Sequence, residues 1–257
     1  MPMPELTLFT YAILFITGLV AGFVDSIAGG GGIISLPVLL SVGFPPALAL
    51  GTNKLQSSFG SLTASLNYTR KGIVQFRETL PTLLFTAIGA ASGAFFVQRV
   101  SQNILNVVIP ILLFGVFLFS LLSRNLGIED GVKRLRPWLF SLIFGSLFGL
   151  YDGAFGPGVG SFWVIAFVFF LGYNLKKATG YTKWANFTSN FIALLAFAIG
   201  GNVMLLPGIV MAVGQVSGAI IGSNLVVSHS TRFIKAFFLT VVGITILRLL
   251  YVTFAGG

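Results

Sequence analysis

Two aspartates lie within long apolar stretches, where a charged side chain is costly. Asp25 is followed by the glycine cluster Gly29–Gly32, and Asp152 is followed by the cluster Gly156–Gly160. A carboxylate at membrane depth is a functional candidate by default. Each carboxylate could cap the free N–H groups of its glycine turn, or it could take part in proton or substrate coupling. The sequence leaves both roles open.

Two lysines occupy matching places inside apolar segments. Lys54 is eight residues beyond Pro46, and Lys183 is eight residues beyond Leu175. At 1.5 Å per residue each would lie roughly 12 Å deep, from opposite faces of a hydrocarbon core of about 30 Å. Snorkelling from that depth would need a long reach, so we expect both ammonium groups to approach the middle of the membrane.

Neutral polar side chains accompany the lysines and suggest a cationic cavity that is rich in donors. The natural ligand of such a cavity is a small anion with several oxygens. Glycine tips could add backbone N–H groups, because no side chain blocks the approach. The candidate substrate-binding residues are Lys54, Lys183, Asn53, Gln56, Thr182, Asn186, Gly29, Gly30, Gly31, Gly156 and Gly158, with Asp25 and Asp152 as coupling or hairpin-tip residues.

Apolar segments indicate the elements that would position these residues. A helix needs about 20 apolar residues to cross the hydrocarbon. The apolar arm after each glycine cluster has only about ten, so each cluster is predicted to close a helical hairpin that returns to its own side. The predicted order is a hairpin over 6–43, spans over 46–68, 76–97 and 104–122, a hairpin over 137–172, and spans over 175–199, 204–227 and 233–254.

Charge in the connectors favours one orientation. With both termini outside and each hairpin returning to its side of entry, eleven Lys and Arg residues are cytoplasmic and Arg99 is outside. If instead the N-terminus is inside and the first arm of each hairpin crosses, the split is seven to five. The first arrangement fits the positive-inside rule far better.

The two halves of the chain align with each other. Gly18–Asp25 matches Gly145–Asp152, and Gly51–Lys54 matches Gly180–Lys183. Each half has one hairpin and three spans, and an odd number places the halves in opposite orientation. Inverted repeats with broken helices are typical of secondary transporters, with the site near the midplane. The predicted fold is therefore an all-α integral membrane protein of about eight transmembrane segments in two inverted repeats, 1–123 and 137–257, joined by a cytoplasmic connector over 124–136.

Other glycine patterns are predicted to serve packing. Gly-x-x-x-Gly patterns begin at Gly18, Gly145 and Gly214, and such patterns let membrane helices approach closely. The cluster Gly29–Gly32 is not a nucleotide-binding loop, because no Gly-Lys-Ser/Thr follows at the required spacing. The small-residue faces would also allow a homodimer.

Composition excludes a soluble protein. Apolar residues make up 56% of the chain and charged residues 8%, against about 25% charged in a soluble domain. The net charge of +9 comes from short connectors rather than a basic stripe, so nucleic acid is not an expected partner. There is no cysteine, which excludes disulfides, Cys-based metal sites and thiol catalysis. We expect no cofactor and no metal.

Three segments resemble the sulfite exporter TauE/SafE family, also called the four-toluene-sulfonate uptake permease family. They are Ala21–Gly32, Leu50–Gln56 and Asp152–Gly158, and the resemblance covers nearly the whole chain. It implies a bacterial-type inner-membrane permease for sulfite, organosulfonates or related small anions, without fixing the cargo. Carried over position by position, it draws attention to Asp25, Asn53, Lys54, Gln56, Asp152 and Lys183.

The two halves differ at the residues that carry the resemblance. Asn53 aligns with Thr182, and Gln56 aligns with Ala185. The site therefore need not be symmetric.

The leading hypothesis is a secondary carrier of a small sulfur-containing oxyanion that works by alternating access. An anion channel is the first alternative, since sequence does not separate a pore from a carrier. An intramembrane enzyme is a weaker one: the two aspartates are related by the repeat, no Gly-x-Gly-Asp motif is present, and no His lies within the membrane to serve a serine protease. The expected partners are the anion, the lipid bilayer and a second copy of the chain.

Overall fold

The computed structural model describes residues 6–101, 103–105, 107–108, 111 and 129–229. Every regular element in these ranges is helical, and they contain no strand. The all-α prediction is confirmed for this part of the chain. The predicted span 233–254 lies outside the described residues, and the predicted span 104–122 lies largely outside them.

Eight helices are numbered here in chain order. The fifth, α5, consists of three consecutive pieces that include a π-helical turn. The helices are α1 Leu8–Ala28, α2 Gly31–Ser41, α3 Pro46–Arg70, α4 Phe76–Val97, α5 (Pro137–Phe140, Ser141–Gly145 and Ser146–Ala154), α6 Val159–Leu171, α7 Leu175–Ile199 and α8 Leu205–Ser228.

Three of the helices, α1, α4 and α8, are long and apolar enough to cross a membrane. The helices α2 and α6 are apolar but short, with 11 and 13 residues. Each short helix begins within a glycine cluster. The protein is membrane-embedded, and its broken elements are the two helix pairs α1–α2 and α5–α6.

Glycine makes the sharp turns between the paired helices. Gly29 ends α1 with φ of 74°, a left-handed conformation that other residues adopt at a cost. Its N–H donates to the carbonyl oxygen of Asp25 at 2.8 Å. Between α5 and α6, Gly156 and Gly158 have φ of 97° and 78°. The first tip (Gly29–Gly32) and the second tip (Gly156–Gly160) therefore each consist of a turn that these glycines allow and the first residues of the following helix.

The helices α3 and α7 begin at equivalent positions relative to their lysines. Pro46 is the first residue of α3, a place where the missing N–H costs nothing. Asn174 caps α7, and its side-chain oxygen accepts from the Lys177 N–H at 3.0 Å. These starts bring Lys54 and Lys183 to the third turn of their helices.

Each hairpin packs against a helix of the other half of the chain. α1 lies along α8, and α5 lies along α4. The contact is backbone to backbone: a Cβ at Gly18 or Gly22 would clash with the carbonyl oxygen of Met211 or Gln215. The glycines of the α5 face meet α4 in the same way. The predicted packing role of the small-residue faces is confirmed. These faces contact helices of the same chain, so a homodimer would need a different surface.

The two most polar helices occupy the centre. α3 packs against α7 and α8, and α7 also packs against α4. Both bury runs of polar side chains, Thr52–Gln56 in α3 and Thr182–Asn186 in α7. The candidate site residues therefore lie between the two hairpins.

Candidate functional site

Lys54 and Asp152 form a fully buried ion pair. Lys54 Nζ lies 2.6 Å from Asp152 Oδ1, and the two side chains are 0% and 2% exposed. The ammonium group also donates to the backbone oxygen of Asp152. The second carboxylate oxygen accepts from the hydroxyl of Ser189 in α7. Both oxygens of Asp152 therefore have a close partner.

Lys183 and Asp25 form the corresponding pair, with looser geometry. Lys183 Nζ lies 3.1 Å from Asp25 Oδ2, and it also donates to the backbone oxygen of Asp25. The lysine side chain is 0% exposed and the aspartate 15%. Asp25 Oδ1 accepts only a long contact, 3.4 Å, from the N–H of Gly31. The carboxylate thus caps its own tip, as one of the sequence hypotheses has it, and holds a lysine as well.

The two pairs, called here the crossed ion pairs, join opposite halves of the chain. Lys54 of α3 reaches the hairpin α5–α6, and Lys183 of α7 reaches the hairpin α1–α2. Burying a charge is tolerable when an opposite charge and further hydrogen bonds compensate it, as they do here. Removing one partner would leave the other charge buried alone, at a cost of about 3–5 kcal/mol.

The two hairpin tips touch each other through glycine. A Cβ at Gly29 would lie 2.6 Å from the Cα of Gly160, closer than real side chains approach. The hydroxyl of Ser161 donates to the carbonyl oxygen of Ala28 across the same contact, at 3.2 Å. Two tyrosines bond to the backbone at or near the tips: the hydroxyl of Tyr68 donates to Ser26 O at 2.7 Å, and that of Tyr151 to Pro157 O at 2.9 Å.

A small cavity lies between the tips and the central helices. The volume within it that the centre of a water molecule can occupy is about 20 Å³. That is enough for about one water-sized particle. It is lined by Asp25, Gly29, Gly32, Asn53, Ser57, Asp152, Gly156, Gly158, Val159, Asn186 and Asn190. Neither lysine of the crossed ion pairs is among the lining residues.

A cluster of amides and a hydroxyl lies beside the cavity. Asn53 Oδ1 accepts from Gln56 Nε2 at 2.8 Å and from the Ser35 hydroxyl at 2.5 Å. Gln56 Nε2 lies 3.1 Å from the same hydroxyl. These bonds fix the orientation of Asn53, which lines the cavity, and assign Gln56 to a supporting place behind it.

The predicted site residues separate into two groups. Asp25, Gly29, Asn53, Asp152, Gly156, Gly158 and Asn186 line the cavity. The others stand back from it: Lys54 and Lys183 hold the aspartates, Gln56 holds Asn53, Thr182 donates its hydroxyl to Ala178 O of its own helix, and Gly30 and Gly31 start α2.

Ser189, Asn190, Ser57 and Gly32 were not among the predicted site residues. Asn190 lies seven residues beyond Lys183, on the same face of α7, and Ser189 lies three residues beyond Asn186. The crossed pairing was also not predicted. The sequence could have indicated it, because ionisable groups at membrane depth pair with one another. One Asp and one Lys in each half allow each Lys to pair with the Asp of the other half.

Buried, paired charges beside two broken helices define a membrane protein of the transporter class. The family model described as "Sulfite exporter TauE/SafE" matches residues 14–249. The chain belongs to this family, as the resemblance in its motifs led us to expect. Its substrate is thus a small solute, and its surroundings are membrane lipid.

Relatives with curated names agree with the family. The chain is 43% identical over 239 residues to "Probable membrane transporter protein YfcA" of Escherichia coli (strain K12), covering 93% of this chain and 89% of that protein. It is 42% identical over 233 residues to "Probable membrane transporter protein ORF9" of Sinorhizobium sp, covering 91% and 89%. A "Probable membrane transporter protein" of Haemophilus influenzae is 42% identical over 224 residues, covering 87% and 88%. No solved structure matches the chain.

Proposed function

We propose that this chain is a secondary transporter that carries a small anion across the cytoplasmic membrane by alternating access. The proposed cargo is sulfite, an organosulfonate or another sulfur-containing oxyanion. The observation that carries the proposal is the crossed ion pairs at the hairpin tips. Four charges buried among apolar helices are expensive, and a protein that only needed a stable fold would do as well with apolar residues.

Each carboxylate of the crossed ion pairs resembles the proposed cargo. A sulfur oxyanion presents negative oxygens to an ammonium group, as a carboxylate does. An incoming anion could therefore replace Asp25 or Asp152 as the partner of a lysine without leaving that lysine buried and unpaired. The lysines would then be the binding groups, and the aspartates would occupy the site between transport cycles.

Access for such an anion requires the tips to separate. The cavity has room for about one water-sized particle, which is too little for a sulfur atom with three or more oxygens. The contact between Gly29 and Gly160 is the natural place to open, because no side chains interdigitate there. Rocking of one hairpin against the other would expose the lysines to one side of the membrane at a time.

The reciprocal packing supports the proposal of two inverted repeats in about eight segments. α1 of the first half packs against α8 of the second, and α5 of the second half packs against α4 of the first. α3 packs against α7, and these two helices carry the equivalent lysines. We further propose that both termini lie outside and that the membrane is a bacterial-type inner membrane. The excess of Lys and Arg in the connectors assigned to the cytoplasm supports this orientation. A homodimer through another surface stays a prediction.

Ligand binding tests the cargo directly. Purified protein in detergent is heated with sulfite, sulfate, thiosulfate, taurine, sulfoacetate or chloride. A ligand that binds the native state raises the midpoint of thermal unfolding. We expect one sulfur oxyanion to raise it and the others to do less. If no anion does so while neutral solutes or cations do, the proposed cargo class is wrong.

A matched variant tests the site without leaving an unpaired charge. In the double variant Lys183→Gln, Asp25→Asn both charges are removed together, and the two amides can still hydrogen-bond each other. We expect this variant to fold and to lose the anion-dependent shift. Retention of the full shift would exclude Lys183 from the anion site.

A further inference from the structure

The charged side chains that line the cavity are both carboxylates. Asp25 and Asp152 lie on its wall, whereas the two lysines do not. The neutral polar side chains of the lining are three amides and one hydroxyl, those of Asn53, Ser57, Asn186 and Asn190. Oxygen atoms of this kind are the ligands that hard cations prefer. An anion in this small cavity would instead meet the two carboxylates.

The carboxylate of Asp25 can accept more further contacts than that of Asp152. A carboxylate can accept about four hydrogen bonds or ligand contacts. Asp152 has a lysine at 2.6 Å on one oxygen and the Ser189 hydroxyl on the other. Asp25 has a lysine at 3.1 Å on one oxygen and a 3.4 Å backbone contact on the other. A further positive group in the cavity would therefore find Asp25 Oδ1 weakly engaged.

Asn186 also indicates a ligand in the cavity. It lines the cavity, is only 3% exposed, and its Oδ1 makes no hydrogen bond in the described structure. A buried polar atom without a partner costs about 1–3 kcal/mol, so such an atom next to a polar cavity indicates a ligand. Asn186 lies one turn after Lys183, on the same face of α7.

The size and charge of the cavity suit a monovalent ion. Its volume admits about one water-sized particle, and a dehydrated sodium ion is of that order. Both lining carboxylates are already shared with lysines, which leaves too little negative charge for a divalent cation. Broken-helix transporters bind coupling ions at their helix interruptions, where backbone carbonyls are free to contribute.

We propose that this cavity binds a sodium ion through Asp25 and Asn186, and that the ion releases Lys183 to bind the anion. Sodium and Lys183 compete for the same carboxylate, so binding of the ion weakens the looser of the crossed ion pairs. The released ammonium group then needs a negative partner, which the cargo provides. The second half of this inference rests on the proposed function, whereas the ion site does not. Cation and anion would move together, with Lys54–Asp152 remaining closed.

Sodium titration of the purified full-length protein tests the ion site. The thermal midpoint is measured at fixed pH while sodium chloride replaces choline chloride at constant ionic strength. A parallel series uses potassium chloride. We expect sodium to raise the midpoint and potassium and choline to leave it unchanged. In Asn186→Ala the sodium concentration for half of the effect should rise about tenfold, because an oxygen ligand is lost.

Two further variants make the test specific. Asp25→Asn removes the charged ligand and should abolish the sodium effect. Asn224→Ala is the matched control, because Asn224 is an exposed asparagine of α8 that bonds to Asn67 outside the cavity. It should titrate like the unmodified protein. Should Asp25→Asn fail to fold, Asn186→Ala still decides, since it leaves both ion pairs intact.

The outcomes separate the ion site from the proposed function. Equal midpoints in sodium, potassium and choline overturn the ion site, as does an unchanged titration of Asn186→Ala. If acid replaces sodium in stabilising the protein, the cavity binds a proton and the sodium assignment is wrong. A sulfur oxyanion that binds equally with and without sodium supports the transport proposal and overturns the coupling. Sodium binding without binding of any anion supports the ion site and contradicts the anion cargo.

Discussion

The crossed ion pairs occupy equivalent places in the two halves of the chain, yet they differ in length, in the exposure of the aspartate and in the other partners of the carboxylate. The Lys54–Asp152 pair is short and fully buried, and its carboxylate has a second partner in Ser189. The Lys183–Asp25 pair is longer, and Asp25 is 15% exposed towards the cavity. In the repeat alignment the position of Ser189 is taken in the first half by Gly60, which has no hydroxyl.

The two ion pairs therefore differ in how readily each carboxylate can exchange its partner. A carboxylate with every oxygen engaged is held in place and contributes mainly to the closed packing of the tips. A carboxylate with a weakly engaged oxygen beside a cavity can exchange partners at lower cost. We therefore expect Lys54–Asp152 to dominate stability and Lys183–Asp25 to respond to ligands.

The largest expected effect comes from neutralising the aspartates one at a time. Asp152→Asn leaves Lys54 charged in a fully buried place, and should cost about 3–5 kcal/mol of stability. Asp25→Asn should cost less, because the Lys183–Asp25 contact is longer and Asp25 is 15% exposed, whereas Asp152 is 2% exposed. The thermal midpoints of the two variants in the same detergent measure the comparison. Equal losses would show that the two pairs do equivalent work.

A methyl group between the tips should have an intermediate effect. In Gly160→Ala the added Cβ meets the backbone of Gly29, and overpacking of this kind costs about 1–3 kcal/mol. We expect a lower thermal midpoint and more open tips. Gly30→Ala is the matched control, because the nearest atom to a Cβ there is Ile33 Cδ1 at an ordinary 3.7 Å.

Opening can be measured by labelling, since the chain contains no cysteine. A single Ser161→Cys places a thiol at the contact between the tips. It should react faster with a soluble thiol reagent in the Gly160→Ala background than in the Gly30→Ala background. Equal rates in both would mean that the tips do not separate at this contact.

The smallest expected effect comes from making the tighter pair resemble the looser one. Ser189→Ala removes the hydroxyl that donates to the charged Asp152 and should cost about 1.5 kcal/mol. Ser217→Ala is the control, because that exposed hydroxyl bonds to Val213 O of its own helix and, within the described residues, to no other group. The difference between the two thermal midpoints checks this prediction, and no difference would show that Ser189 does not set the asymmetry.

Local features of the fold could be predicted from the sequence, because each has a local cause. Glycines that must adopt positive φ mark the two turns, and the apolar arms after them are too short to cross a membrane. The described α3, α4, α7 and α8 begin and end within two residues of the predicted spans. Lys54 and Lys183 are fully buried. Their depth in the membrane stays a prediction.

The arrangement of the site could not be predicted in the same way, because it depends on contacts between distant residues. Lys54 and its aspartate are 98 residues apart in the chain, and Lys183 and its aspartate are 158 apart. Periodicity within one helix says nothing about such partners. Thr182 was predicted to bind substrate because it precedes a buried lysine, but its hydroxyl bonds to its own helix. A polar residue next to a buried lysine therefore need not face the cavity.

The most direct test of the account is counterflow of labelled sulfite in proteoliposomes. Unlabelled sulfite inside the vesicles should accelerate uptake of the label by a carrier, because each opening of the tips returns a loaded site. We expect this acceleration in the unmodified protein and its loss in Lys183→Gln, Asp25→Asn. Uptake that ignores internal sulfite would indicate a channel, and counterflow that survives in the double variant would contradict the exchange of partners at Lys183.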